Sequence, residues 1–205
     1  MPSHAAHPTS AGDVIIAGPG YAVLPSMRWV TPSCAVQSLA DYLGIHEFDI
    51  DVCAEDGNSH AARYLDAADD CITADWGDVR SAFMNPPYGK LGVPRKLLRE
   101  RGWPEEDIKQ LAPFPGTVPF VERARLQARA HDILVAVLLG VSMDDWQRQA
   151  MALADDVLFG PRIPFIDAVT GEVQVNPTTA HCALIYRGSA VATRQTIVWD
   201  WTAGY

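Results

Sequence analysis

Long apolar segments are missing from this sequence, and cysteines are few. No run reaches the roughly 18 apolar residues that indicate a membrane-spanning helix, so we expect no membrane segment. The 4 cysteines form no Cys-x-x-Cys pair, and the 6 histidines are dispersed. Structural zinc sites and disulfide frameworks need closer and more regular spacing. The sequence therefore predicts reduced thiols and no metal site.

Positive charge is also scarce, because 16 Lys and Arg stand against 25 Asp and Glu, for a net charge of −9. General nucleic-acid binders are normally basic. The balance argues against that class without excluding a local contact with DNA. Basic residues do cluster at 95–101 and 123–129. Such clusters are typical of solvated helix faces as well as of phosphate contacts.

Several common signatures are absent too. The chain has no Gly-x-x-x-x-Gly-Lys-[Ser/Thr] phosphate loop and no His-Glu-x-x-His zinc motif. The first residues lack the basic and apolar regions of a signal peptide. Together with the scattered cysteines, this favours a cytoplasmic protein.

The length of 205 residues suits one domain. Residues 1–28 are rich in Pro, Gly, Ala and Ser, which predicts a loosely attached N-terminal arm before a domain at 29–205. After residue 119, apolar strands alternate with helical patterns, which predicts an α/β fold. A hairpin is predicted around 169–171, and a further core strand at 181–186.

The chain is organised around Asn85-Pro86-Pro87-Tyr88. This tetrapeptide follows the apolar run 81–84, which predicts a buried strand. Neither proline can donate an N–H to a ladder, so the strand ends here. The sequence therefore predicts a stiff turn at the carboxyl end of a strand, which is where open α/β sheets bind ligands.

The turn carries side-chain and backbone atoms that could bind an amine and prepare it to receive a transferred chemical group. An exocyclic amine conjugated to a ring is a poor nucleophile, because its lone pair is delocalised. The side-chain carbonyl of Asn85 and the backbone carbonyl of Pro86 can accept its two N–H bonds and return density to the nitrogen, and Tyr88 offers a flat face for stacking. The tetrapeptide resembles the [Asp/Asn/Ser]-Pro-Pro-[Tyr/Phe/Trp] motif of amino-methyltransferases. The alternative is a Pro-rich turn with a buried tyrosine.

Two segments before the turn predict a ligand pocket. Thr31 suits the N-cap of a helix and Pro32 its first position, and this start leaves backbone N–H groups that can receive a carboxylate. Residues 48–54 alternate as a strand and lead into the turn-forming stretch 55–58. Asp51, near the end of that strand, can attract a cation by charge.

Together these segments closely resemble the phage-type DNA adenine-N6 methyltransferase family. The matching stretches are Trp-x-Thr-Pro at 29–32, Phe-Asp-x-Asp-x-x-Ala at 48–54, and Asp75-Trp76 ahead of Asn-Pro-Pro-Tyr-Gly at 85–89. The resemblance implies S-adenosylmethionine as methyl donor and adenine in double-stranded DNA, turned out of the helix, as acceptor. It also implies a Rossmann-like class I methyltransferase fold, with a mixed, mostly parallel sheet, helices on both faces and an antiparallel end hairpin.

The resemblance further assigns roles to residues. The catalytic residues would be Asn85, Pro86, Pro87 and Tyr88. Asp51 would attract the positive charge of the cofactor, and Asp75 would accept from its adenine amino group. Glu55 departs from the pattern, because such cofactor loops commonly have a glycine there. The full set of cofactor-binding candidates is Trp29, Thr31, Pro32, Asp51, Cys53, Ala54, Asn58 and Asp75.

Several alternatives stay open at this level. The acceptor could instead be cytosine N4, an RNA base or a protein glutamine amide. The domain could also be a non-catalytic module that binds a nucleotide-like ligand or a partner protein, which the acidic charge and Glu55 favour. Residues 91–118 resemble an insertion after the turn and indicate a target-recognition element or a lid. The family implies a phage or prophage protein that acts in the cytoplasm of its bacterial host.

Overall fold

The structure is a computed structural model of the chain. It describes residues 15–16, 22–23, 29–87, 95–100, 102–111, 115–167, 170–174, 179–189 and 193–202. The strands are β1 (Ile15–Ile16), β2 (Ala22–Val23), β3 (Trp29–Val30), β4 (Ile50–Asp51), β5 (Arg63–Tyr64), β6 (Ser81–Met84), β7 (Leu134–Gly140), β8 (Asp156–Gly160), β9 (Ile166–Asp167), β10 (His181–Tyr186) and β11 (Gln195–Val198). The helices are α1 (Ser33–Leu43), α2 (Arg95–Glu100), α3 (Glu105–Gln110), α4 (Val118–His131) and α5 (Asp145–Leu153).

The largest element is a seven-stranded sheet in the order β11-β8-β10-β7-β6-β4-β5. Its neighbouring strands pair in parallel except at β10, which runs antiparallel to both β7 and β8. The carboxyl ends of β5, β4, β6 and β7 therefore lie along one edge of the sheet. The predicted α/β class with a mixed, mostly parallel sheet is confirmed.

Helices cover both faces of this sheet, as predicted. On one face, Ala35 and Leu39 of α1 pack into a core that includes Phe83. The other face packs against α4 and α5. Neighbouring residues of β6 alternate between the two cores, because Ala82 and Met84 belong to the core on the α4 side. The strand that carries the turn is thus buried on both faces.

The strand predicted at 48–54 is shorter than its sequence pattern indicates. β4 comprises Ile50–Asp51, although Val52 still donates to the carbonyl of Phe83 at 3.0 Å. The Asp51 side chain accepts the N–H of Cys53 at 3.3 Å. Such a local bond replaces the ladder and turns the chain. The connection from β4 to β5 is therefore the loop 52–62, which the structure describes without a helix.

The hairpin expected at the end of the sheet forms outside it. Ile166 and Val173 make an antiparallel bridge, and β9 pairs with β3 in a separate two-stranded sheet. The strand predicted at 181–186 is confirmed as β10, which is the antiparallel strand of the central sheet. Pro161 and Pro164 follow β8, and since neither can donate to a ladder, the chain leaves the sheet there. Residues 168–169 of the predicted turn lie outside the described residues.

The predicted N-terminal arm is mostly outside the described residues. Its described part is a pair of short strands, with β1 antiparallel to β2. The division of the chain at residue 28 stays a prediction. Within the described ranges, no helix is both long and apolar enough to cross a membrane.

Candidate active site

The Asn-Pro-Pro turn lies at the carboxyl end of β6, between the ends of β4 and β7. Pro86 is buried, and Asn85 and Pro87 are half-buried. The turn therefore lies at the position where parallel sheets bind ligands, as the sequence predicts. Tyr88, the fourth predicted catalytic residue, lies outside the described residues.

Thr31 holds the side chain of Asn85. The Asn85 Nδ2 donates to Thr31 Oγ1 at 3.1 Å, and Thr31 is 2% exposed. Because the amide group is planar, this bond also fixes the direction of Asn85 Oδ1. The Trp-x-Thr-Pro segment thus contacts the turn that follows it by 54 positions in the sequence.

The predicted capping role of Thr31 is wrong. α1 begins at Ser33, and Pro32 occupies the N-cap position, with its carbonyl accepting from Ala35 at 2.9 Å. Thr31 stands one residue before the cap, so its hydroxyl is available to Asn85 rather than to the helix. Pro32 cannot donate an N–H, which makes it compatible with the first turn of a helix at either position.

A second threonine contacts the other end of the turn. Thr117 Oγ1 donates to the Pro87 carbonyl at 3.0 Å. Thr117 is 7% exposed and stands at the N-cap of α4, yet its side chain does not cap that helix. The turn is therefore held by Thr31 at Asn85 and by Thr117 at Pro87.

Asp51 is a buried carboxyl at the end of β4, next to β6. It is 2% exposed, and its two oxygens accept the backbone N–H groups of Cys53 and His60 at 3.3 and 3.2 Å. Burial raises the pKa of Asp51 to about 7, although both hydrogen bonds oppose this rise. A cation placed beside Asp51 would stabilise its ionised form. The predicted attraction for a positive ligand is therefore chemically sound.

The loop 52–62 carries three more predicted cofactor residues, Ala54, Asn58 and Cys53. Ala54 is buried and donates to the Leu65 carbonyl at 3.2 Å, which ties the loop to the end of β5. Asn58 Oδ1 accepts the N–H of Glu55 at 2.6 Å. Gly57 between them has φ +87°, a left-handed conformation that favours glycine. The loop turns at Gly57, two positions after the place where the family pattern has its glycine.

Cys53 packs against Cys71 rather than facing outward. Their Sγ atoms are 3.5 Å apart, and Cys71 is buried. The hydrogen bond with Cys71 and burial raise the pKa of Cys53 well above that of a free thiol. The thiol therefore stays protonated, and the predicted role of Cys53 at the cofactor stays a prediction.

His60 links the three segments that the sequence singles out, although the sequence gives no sign of it. The backbone N–H of His60 donates to the Asp51 carboxylate. The His60 ring contacts the Phe83 ring edge-on, with centroids 5.9 Å apart. The ring also hydrogen-bonds the backbone of Thr31, and burial lowers the pKa of His60. Its Nε2 is buried and has no hydrogen-bond partner. A neutral imidazole with an unsatisfied buried nitrogen is a binding-site feature that a ligand or water can complete.

Trp29 and Asp75 stand apart from this group. Trp29 is 39% exposed in β3, where it pairs with Asp167. Asp75 is exposed and accepts the N–H of Gly77 at 2.9 Å. Among the contacts that the structure describes, none joins Asp75 to Asp51 or Asn85. The predicted role of Asp75 at the cofactor's adenine stays a prediction.

Sequence reasoning missed two residues of the site, His60 and Thr117. A histidine in a loop has no periodic signal, so His60 could be found only through its contacts. Thr117 precedes Val118-Pro119, which is a recognisable helix start. The pattern could therefore have identified Thr117 as an N-cap, but not as a partner of Pro87.

The donor set suits a cationic organic ligand better than a metal ion. Asp51 supplies a buried carboxyl with a raised pKa, and His60 supplies an unsatisfied buried nitrogen. In the part of the chain that the structure describes, no group of three or more His, Cys, Asp or Glu could hold a metal ion. S-adenosylmethionine carries a sulfonium and an ammonium group, so the residues present fit this cofactor.

These features define an α/β enzyme with its ligand site at the carboxyl edge of a mostly parallel sheet. A family model described as DNA N-6-adenine-methyltransferase (Dam) matches residues 25–198. A DNA N-6-adenine-methyltransferase of Haemophilus phage HP1 (strain HP1c1) is 29% identical over 147 residues, which are 70% of this chain and 69% of the relative. No solved structure matches the chain.

The chain belongs to the DNA N-6-adenine-methyltransferase (Dam) family. It is therefore an enzyme that methylates N6 of adenine in DNA. The predicted family, enzyme class and acceptor are confirmed, and the open alternatives of another amino group or a non-catalytic module are set aside.

Proposed function

We propose that the enzyme transfers the methyl group of S-adenosylmethionine to the N6 of an adenine that has turned out of a DNA duplex into the site. The observation that carries this proposal is the fixed amide of Asn85, held by Thr31 at the carboxyl end of β6. The buried carboxyl of Asp51 ends the neighbouring strand β4. An acceptor site and a cation site then lie side by side.

The turn binds the acceptor amine. Asn85 Oδ1 and the Pro86 carbonyl accept its two N–H bonds, which favours a more tetrahedral nitrogen with a localised lone pair. Tyr88 stacks on the flipped base. No strong base is needed before transfer, because the proton leaves after the nitrogen has become cationic. The fixed position of the Asn85 amide supports this assignment, since preorganised dipoles stabilise developing charge without reorganising.

The cofactor side is formed by Asp51 and the loop 52–62. S-adenosylmethionine, when bound, supplies an electrophilic methyl group on its sulfonium. Asp51 binds the cofactor through charge, and His60, through its buried Nε2, completes a hydrogen bond with it. Ala54 and Asn58 hold the loop in shape, and Pro32 sets the start of α1. Asp75 accepts from the cofactor's adenine amino group, and Trp29 and Cys53 remain further cofactor candidates.

We assign the fold to the Rossmann-like class I methyltransferases. Support comes from the parallel set β5, β4, β6 and β7 with helices on both faces, followed by the antiparallel β10 between β7 and β8. The loop 52–62 takes the place of a crossover helix. This leaves a groove of about 350 Å³ beside α1, lined among others by Ser33, Phe48 and His60.

Residues 88–116, which we call the excursion, face the DNA target. The excursion carries six Lys and Arg against four Asp and Glu, in a chain of net charge −9. It begins and ends at the turn, because Thr117 bonds Pro87. A basic segment that is anchored at the catalytic turn is suited to phosphate contacts around the flipped base. With DNA as substrate, we place the enzyme in the cytoplasm of a bacterial host.

The test is mass spectrometry of nucleosides from DNA incubated with the enzyme and cofactor that carries a deuterated methyl group. We expect labelled N6-methyldeoxyadenosine and no labelled N4-methyldeoxycytidine, with more product from duplex than from single-stranded DNA. Asn85→Ala protein serves as the inactive control. Label on cytosine, or none with folded wild-type enzyme, would contradict the proposal.

Base flipping has its own test. An adenine that lacks a partner base needs less energy to leave the stack. We therefore expect tighter binding to duplexes with an abasic site opposite the target adenine, and such a duplex should partly restore binding in Tyr88→Ala, which lacks the stacking face. Equal affinity for paired and unpaired targets would argue against flipping while leaving adenine methylation intact.

A further inference from the structure

The contact between Thr117 and Pro87 has a use beyond packing. Thr117 occupies the N-cap of α4, a position where a threonine side chain normally accepts a helix N–H. Instead its hydroxyl donates to the Pro87 carbonyl at 3.0 Å, in a bond between residues 30 positions apart. Thr117 is 7% exposed and Pro87 is half-buried, so the donor of this bond is largely out of water.

The Pro87 carbonyl is a sensitive point of the turn. The rings of Pro86 and Pro87 fix φ near −65°, so the remaining freedom of the turn lies in the ψ angles. The Pro87 carbonyl belongs to the planar peptide group that leads into residue 88. A bond to this oxygen therefore fixes the ψ angle of Pro87 and the direction in which the chain leaves the turn toward Tyr88.

We infer that Thr117 is a positioning residue for methyl transfer: its hydroxyl fixes the Pro87 peptide, and through it the residues that hold the acceptor adenine. This inference rests on the proposed roles of Asn85, Pro86 and Tyr88. The hydroxyls of Thr31 and Thr117 then hold the two ends of the turn. Thr31 binds the side chain of Asn85, and Thr117 binds the backbone carbonyl of Pro87. Because Thr117 reaches the turn through Pro87, we expect its effect on the transfer step rather than on substrate binding.

The variants Thr117→Val and Thr117→Ser separate the effect of the Thr117 hydroxyl from the effect of the side chain's shape. Valine has nearly the same volume without the donor, whereas serine keeps the donor and loses a methyl group. We expect Thr117→Val to lower kcat by roughly threefold to tenfold, the effect of losing one net hydrogen bond, with little change in KM for DNA. Thr117→Ser should retain most of the wild-type kcat. Cofactor affinity from calorimetry should stay at the wild-type value in both. Thr117→Val leaves the Pro87 carbonyl without its donor, so its melting temperature should fall by roughly 2–4 °C for each kcal/mol lost, whereas Thr117→Ser should melt close to wild type.

Thr202→Val is the matched control, because its hydroxyl donates to Asp200 on the exposed C-terminal segment. It should leave kcat unchanged. If Thr117→Val protein melts well below wild type, Thr117→Ala removes the hydroxyl without adding an apolar group, and the same kcat loss is expected. Wild-type kcat in the hydroxyl-free variant, or a Thr117→Ser enzyme as slow as Thr117→Val, overturns the inference. Wild-type enzyme that methylates no adenine would instead contradict the proposed function.

Discussion

At the scale of single residues, Asn85 is notable for how its amide is restrained. Asn85 Nδ2 is bound to Thr31 Oγ1, and because the amide is planar, this bond also orients Asn85 Oδ1. An amide that rotates freely would lose conformational entropy when it binds an amine, whereas a held amide has lost it already during folding. Preorganisation of this kind serves the transition state more than the ground state.

Asn85→Ala should lower the rate of methyl transfer by about 10²–10³-fold, the usual effect of removing one such polar group. Cofactor affinity should remain near the wild-type value, because Asn85 contacts the acceptor. Rates come from single-turnover methylation and affinity from calorimetry. As companions, Thr31→Ser should be active and Thr31→Val slower than wild type. Comparable turnover in Asn85→Ala would exclude its catalytic role.

Two aspartates on the same strand segment have opposite electrostatics. Asp49 accepts the N–H groups of Arg80 and Ser81 at 2.7 and 2.9 Å, and its pKa is lowered, since these bonds outweigh the cost of its burial. Asp51 is more deeply buried, and its pKa is raised to about 7. Asp49 therefore stabilises the fold at neutral pH in its charged form, whereas Asp51 in its charged form costs stability.

Asp51→Asn should therefore stabilise the ligand-free protein at pH 8 while weakening cofactor binding. The pKa of Asp51 is higher in the folded protein than in the unfolded chain. Its contribution to the free energy of unfolding is therefore fully present below about pH 4 and is lost as pH rises through about 7. We expect a gain of roughly 1–3 kcal/mol at pH 8, less than the ~4 kcal/mol that the pKa difference represents, because the amide keeps one of the two accepting oxygens. Urea unfolding at pH 5 and pH 8 measures this.

Asp49→Asn is the control for this prediction. It should destabilise the protein at pH 8 and leave cofactor affinity unchanged, because its bonds to Arg80 and Ser81 lie at the amino end of β6. A wild-type stability that does not fall between pH 5 and pH 8 relative to Asp51→Asn would show that Asp51 is ionised in the free enzyme.

Much of the site could be predicted from residue patterns, because prolines and strand ends are local features. The turn at 85–87 and the acidic end of β4 are both where the sequence indicates. The partners of these residues could not be predicted. Thr31 is a good capping residue by type, yet it bonds Asn85 because Pro32 takes the cap position, and this depends on how two distant segments meet.

At the scale of elements, the excursion contains a small unit of its own. α2 and α3 are joined through Gly102, and Arg99 binds Glu105 through two nitrogens at 2.8 and 2.7 Å. Leu98 and Ile108 are fully buried but belong to neither of the two main cores. Within the described residues, this pair of helices therefore adds little to the two cores of the sheet.

Replacing residues 95–111 by a flexible linker of equal length should leave the melting temperature and cofactor affinity close to wild type. DNA affinity and the choice of methylated sequence should be lost, because the phosphate contacts that we assign to the excursion are gone. Calorimetry, fluorescence anisotropy and sequencing of methylated sites measure the three properties. A variant with wild-type DNA affinity and site choice would show that the excursion does not contact the target.

Element types were predicted more reliably than element ends. Continuous apolar runs of strand length, such as those of β7 and β10, are found as strands, because they are too short for a typical helix. The alternation at 48–54 overstates β4, because the pattern continues where the Asp51 side chain turns the chain. The hairpin at 166–173 has strand-like residues whose partner, β3, is more than a hundred residues away, and no local pattern contains that pairing.

At the scale of the whole molecule, the charge distribution sets how DNA is bound. The chain has a net charge of −9, while the excursion is basic. Arg95 and Lys96 are exposed there, and a second basic stretch lies at 123–129. If DNA binds at the excursion, as we propose, it meets positive charge on a protein that is acidic overall. Such a distribution orients the duplex at encounter and keeps nonspecific binding weak.

The double variant Arg95→Ala/Lys96→Ala should lower the salt dependence of DNA binding. Each phosphate contact contributes about −0.9 to the slope of log K against log salt, so we expect the slope to shrink by about 2 between roughly 50 and 200 mM salt. Arg148→Ala, which removes an exposed arginine of α5, should leave the slope unchanged. An unaltered slope in the double variant would place the phosphate contacts elsewhere.

The bond between Thr117 and Pro87 also bears on how such enzymes diverge. The residues on either side of the excursion, Pro87 and Thr117, are joined by one hydrogen bond. The excursion is therefore attached to the sheet at the same place whatever its length or sequence. Closing a longer chain segment costs only about 0.6 kcal/mol for each doubling of its length. Descendants of this enzyme can therefore lengthen, shorten or exchange residues 88–116 with little penalty to folding. If this segment contacts the DNA target, as we propose, recognition of new DNA sites can evolve while the methylating machinery is inherited unchanged.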